Sequence, residues 1–272
     1  MLIKIGYDIE LGVSAPTALI YMLQVHPSRA GDLVAAENIR ISPGLLTDYY
    51  RDGFDNQCAR VHVPQGVSSI RLQNEATIRD SGLPDPVDYG AVQHAAADLP
   101  VSTLQFLLSS RYCEVDSELL AFAWSRFASV PFGWQRVQAI CDFVHQHLSF
   151  DYQRARATRT ALDGFREQVG VCRDFTHLAI TLCRCMNIPA RYVTGYLGDI
   201  GIPAVPYPMD FSAWFEVYLG DHWHTFDARH NTPRIGRIVV ARGRDAADVP
   251  IAMVFGINSL VHFNVVTDEV PQ

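Results

Sequence analysis

The chain predicts an α+β fold in which helices pack on an antiparallel sheet, preceded by a β-sandwich-like N-terminal domain. Three observations carry this. Short β-rich runs fill residues 2 to 80, helical apolar spacing begins near residue 116, and three more β-type segments follow residue 189. At 272 residues, 49% hydrophobic and 19% charged, the chain lies in the ordinary globular range. It divides into a β-rich domain over 1–100 and an α+β domain over 101–272, with a soft boundary in the turn-rich "DSGLPDPVDYGA".

In the first domain "IKIGYDIEL", "ALIYMLQVH", "ARVHVP" and "SIRLQNEATIRD" read as strands. Several alternate apolar with polar residues and are separated by turn formers. In the second, "DSELLAFAWSRFA" and "GWQRVQAICDFVHQHLSF" have helical spacing, and each follows a start signal. A short helix, "TALDGFREQ", precedes "VGVCRDFTHLAITLCRCM", where Val171, Phe175, Leu178, Leu182 and Cys185 form a buried stripe. "ARYVTGYL", "SAWFEVYL" and "HWHTFDA" complete the domain as strands. "RARATRT" and "ARGRD" read as solvated loops, their cations dispersed among small residues.

A formal charge of −7 argues against a general nucleic-acid surface. The start has charges where a secretory signal needs an apolar run, and no stretch reaches the roughly 18 apolar residues of a membrane helix. A cytoplasmic location and no membrane partner are therefore expected. The six cysteines form no CxxC pair, so free thiols are expected rather than a disulfide framework.

Cys172 differs from the other five. It lies about 100° off the stripe, in the first turn of its helix, where unpaired N–H groups and the positive dipole end favour a thiolate and could hold an oxyanion. Cys183 and Cys185 point apart and read as filler. Asp174, also in the first turn, supports the dipole.

"GVCRDFTHLAITLCRCMNIPARYVTGYL" resembles the nucleophile segment of the transglutaminase-like superfamily, whose core is papain-like. "SAWFEVYL" resembles the strand carrying that family's histidine, and "HWHTFDARHN" the next strand, carrying its aspartate. "LLSSRYCEVDSELLAFAW" and the β-rich start are similar to the bacterial branch with an N-terminal β domain. The resemblance implies a thiol acyltransferase or hydrolase acting through a Cys172 thioester on a peptide or protein amide, with no cofactor. It places the nucleophile at Cys172 and the orienting acid at Asp227. The histidine position falls on Ser212, because His-Ala-Trp here reads "SAW". A serine hydroxyl cannot take the thiol proton, and losing a general base costs about 10²- to 10⁴-fold in rate. A catalytically silent fold that binds a peptide or protein partner is the alternative.

Trp214, on the same strand face as Ser212, could wall a substrate cleft or belong to the core. Strand alternation puts His222 and His224 on the face opposite Asp227, which argues against both a substitute base and a metal site there. His230 lies just past the aspartate and could swing back, although its position does not demand it. His177 is poorly placed.

Overall fold

A computed structural model describes residues 1–205 and 208–271. The strands of the first hundred residues are β1 (Leu2–Val13), β2 (Thr17–Tyr21), β3 (Arg40–Ser42), β4 (Thr47–Arg51), β5 (Gln57–Val63) and β6 (Ser69–Arg79). Helices α1 (Val101–Leu104), α2 (Glu118–Phe127) and α3 (Trp134–His147) follow, then β7 (Ser149–Phe150), α4 (Ala161–Glu167), β8 (Val169–Gly170) and α5 (Cys172–Cys185). The chain continues through β9 (Ala190–Tyr196), β10 (Ser212–Leu219), β11 (His222–Phe226), β12 (Ile238–Gly243), β13 (Ala252–Val254) and β14 (Asn258–Glu269). The α+β architecture expected from the sequence is what the chain adopts. None of the described helices is long and apolar enough to cross a membrane.

Two four-stranded sheets, ordered β14-β1-β6-β3 and β13-β2-β5-β4, form the β-rich part. Along β1 the buried positions Ile3, Ile5, Tyr7, Ile9 and Leu11 alternate, and they share one core with Leu19, Val61 and Leu72. Strands from the end of the chain enter both sheets: β14 pairs antiparallel with β1, Ile3 opposite Glu269, and β13 pairs with β2. A division at residue 100 therefore does not partition the sheets.

The third sheet, β11-β10-β9-β12, carries the site. Every residue of β10 is buried, so this strand is covered on both faces. Ala213, Phe215 and Val217 join the main core that contains α5, whereas Trp214 packs with Val193 and Val239 on the other face. Gly220 and Asp221 turn β10 into β11 with φ of 52° and 67°, the left-handed pair that a tight hairpin requires. Helix α5 ends at Cys185 and is followed by Asn187 in the left-handed region, with Pro189 beyond it.

The ARGRD segment is not a solvated loop. Ala241, Gly243 and Asp245 are buried, and Arg242 reaches across to Glu216 at 3.0 Å. In RARATRT, Arg159 is likewise buried, between Glu167 and Asp174 at 3.0 Å each. Carboxylates on other elements hold both arginines, and local sequence does not reveal such partners.

Gly195, in the middle of the site sheet, has no room for a side chain: a Cβ would lie 2.1 Å from the Ile238 carbonyl oxygen and 2.9 Å from Trp214 Cη2. Gly195→Ala is expected to destabilise the fold by about 3 kcal/mol, measured as a lowered urea midpoint. A midpoint equal to wild type would contradict this packing.

Candidate active site

Cys172 opens α5 directly after the extended Val171. The helix start is fixed by Asp174, whose Oδ2 accepts from the Val171 N–H at 2.9 Å and from Arg159 Nη1 at 3.0 Å. A Cβ on residue 170 would sit 2.5 Å from that of Asp174, so the fold-back needs Gly170. Asp174 and Phe175 donate their N–H groups to the Val171 carbonyl. This leaves the N–H groups of Cys172 and Arg173 without partners among the described residues.

The Cys172 side chain is half-buried. Burial pushes its thiol up to about 11; Arg229 pulls it down, Asp210 raises it, the Ala213 N–H lowers it and Asp227 raises it. The expectation that the helix terminus alone favours a thiolate is therefore overturned by desolvation. At neutral pH the resting group is the thiol, and attack on a carbonyl requires a base.

That base is not on β10, where Ser212 stands beside the Ala213 amide. Asp227 follows the last residue of β11 and is buried. Its Oδ1 accepts the N–H groups of Arg229 and His230 at 3.0 Å each. Its Oδ2 lies 2.8 Å from His230 Nδ1 and 2.8 Å from Arg237 Nη2. Burial alone would raise this carboxyl, but the Arg237 guanidinium and the bonds from His230 hold it well below the usual carboxylate range. An ionised carboxylate at Nδ1 selects the tautomer that carries its proton there and leaves Nε2 free as an acceptor. Nε2 has no partner among the described residues, and no imidazole hydrogen-bonds the Cys172 sulfur.

The rim is polar and aromatic. Tyr152 donates its hydroxyl to Asp210 Oδ2, and the Arg229 guanidinium lies 4.0 Å from the centroid of the Phe150 ring. Behind Asp227 a cleft of about 250 Å³ opens between residues 85–89, α3 and the turn 225–233.

The family model for the Transglutaminase-like superfamily matches residues 120–228, and the chain superposes on a Cytophaga hutchinsonii crystal structure described as a candidate cysteine protease. That match has 28% identity and a TM-score of 0.83 and covers 100% of this chain and 91% of the other. Residues 120–228 are thus a transglutaminase-like segment. An uncharacterised Mycobacterium tuberculosis protein is 27% identical over 224 residues, 74% of this chain and 69% of that protein. An uncharacterised Mycobacterium leprae protein is 30% identical over 113 residues, which span only 40% of its length.

The matched transglutaminase-like segment contains Cys172, Ser212 and Asp227 but ends before His230. The structure brings Cys172, Ser212 and Asp227 to one end of the sheet. Trp214 does not wall a cleft: it is 1% exposed, and Arg237 lies over its ring, 5.0 Å from the centroid. Because both faces of β10 are covered, the ring is a platform for Arg237. His222 and His224 sit near the hairpin end, contacting the carbonyls of Gly220 and Leu219. Among the described residues no group of His, Cys, Asp or Glu could hold a metal. His177 is fully buried, stacked on Tyr112, with Nε2 accepting the Ala246 N–H.

The contact of His230 with Asp227 is what the sequence suggested but did not require. The signal was the Asp-x-x-His spacing in "DARHN": an aspartate that accepts the N–H groups two and three residues on curls the turn back upon itself.

Asp227→Asn should destabilise the protein by about 3 kcal/mol at neutral pH, because Arg237 loses a buried partner. The folded pKa of Asp227 lies below its unfolded value near 3.9, so its contribution is complete above about pH 4 and lost as pH falls below that. The gap between wild type and Asp227→Asn in denaturant titrations should therefore narrow in acid. A gap that widens in acid would contradict the assignment.

Proposed function

We propose that this transglutaminase-like chain is a cysteine enzyme acting on peptide-type amides, by acyl transfer or hydrolysis, in which His230 supplies the imidazole that position 212 lacks. The observation that supports this reading best is the 2.8 Å contact between His230 Nδ1 and Asp227 Oδ2. Nε2 takes the proton from Cys172 Sγ as the sulfur bonds to the amide carbon. The carbonyl oxygen becomes an oxyanion facing the free N–H groups at the start of α5. As the C–N bond breaks, the imidazolium returns its proton to the leaving amine. Water or a second amine then attacks the Cys172 thioester and frees the thiol.

A second reading is a binding protein with a lapsed site, favoured by the elevated Cys172 thiol and the lack of an imidazole on its sulfur among the described residues. The two readings separate on acylation of Cys172 by an activated acyl ester, followed by mass spectrometry. Under the enzyme reading, wild type acylates and turns over, Cys172→Ala does not, and His230→Ala slows acylation by about 10²- to 10⁴-fold. Activity that appears only in Ser212→His would establish the lapsed site instead.

A further inference from the structure

Arginines near Cys172 are mostly committed to carboxylates. Arg159 and Arg173 bind Asp174 at 3.0 and 3.2 Å, and Arg237 binds Asp227 at 2.8 Å. Arg229 makes no ion pair among the described residues. Its backbone is fixed at both ends, the N–H on Asp227 Oδ1 at 3.0 Å and the carbonyl 2.9 Å from His145 Nδ1. Its guanidinium is then carried over the ring of Phe150, which pairs across β7–β8 with Gly170, two residues before Cys172, and there it pulls the thiol down.

The neighbouring acid, Asp210, is already hydrogen-bonded on both oxygens. Asp210 accepts from the Tyr152 hydroxyl on Oδ2 and from the Phe211 N–H at 2.6 Å on Oδ1. A half-buried guanidinium held over a ring, its N–H groups without partners among the described residues, is suited to a planar two-oxygen acceptor. In a chain with a formal charge of −7, an anionic substrate also needs a local cation to be held.

We propose that Arg229 recognises a carboxylate, so that the preferred amide substrate bears an acidic side chain or terminal carboxylate beside the scissile carbonyl. This rests on Cys172 being the reacting thiol of the proposed function. Its test needs neither the base nor the acyl step. Cys172 is alkylated with iodoacetate and with iodoacetamide at about pH 9, where imidazoles are neutral and guanidinium groups are charged.

The iodoacetate-to-iodoacetamide rate ratio at Cys172 should exceed that of a free cysteine peptide by roughly fivefold. Arg229→Gln should bring it down to the peptide value, and Arg229→Lys, which keeps the charge but not the planar fork, should retain only part of the excess. A ratio no greater than the peptide's, a ratio unaffected by Arg229→Gln, or a Cys172 that resists both reagents would overturn the proposal. A high, Arg229-dependent ratio in a chain that turns over no acyl donor would leave this inference standing and remove the enzymatic reading.

Discussion

A carboxylate buried at the end of a strand costs several kcal/mol unless its oxygens are filled. Asp227 fills them with the N–H groups of Arg229 and His230, the His230 ring and the Arg237 guanidinium. The turn after β11 takes its shape from this. The same bonds that satisfy the buried charge fix where residue 229 points and which nitrogen of residue 230 is free.

The network extends outward. Arg237 also binds Asp85 at 2.8 Å, tying the turn-rich segment that follows β6 to the site. Trp214 supports the same guanidinium from within the sheet. On the other side of the sulfur, Asp174 and Arg159 fix the start of α5. Two ionic networks thus flank a half-buried thiol, one at the start of α5 and one in the turn after β11. Under the proposed function, proton removal falls to His230, whose Nδ1 is bonded to Asp227 and whose Nε2 has no partner among the described residues.

The sequence made the order of elements legible because its signals are local. Period-two alternation marks β1 and β6, helical spacing marks α2, α3 and α5, and the Gly-Val step marks the start of α5. Cys172 and Asp227 became readable only through the resemblance of their short motifs to the transglutaminase-like superfamily. What was hidden depends on partners far along the chain. Trp214 looked like a cleft wall because spacing shows which face a residue occupies, not what covers that face. Arg159 and Arg242 looked solvated because Asp174 and Glu216 lie on other elements. β14 went unread, since its pairing with β1 joins opposite ends of the chain. His230 was hidden by a turn whose shape depends on filling a buried carboxylate, which residue spacing alone suggests but does not require.

The central claim is that Asp227 holds His230 with its proton on Nδ1 and Nε2 free to act as the base. Long-range proton–nitrogen correlation spectra of ¹⁵N-histidine-labelled protein, with His230 assigned by its loss in His230→Gln, test this most directly. Above the pH at which the ring is charged, the account predicts a neutral ring protonated at Nδ1, a state that Asp227→Asn abolishes. A ring protonated at Nε2, or the mixed tautomers of a free imidazole that ignore Asp227→Asn, would contradict it.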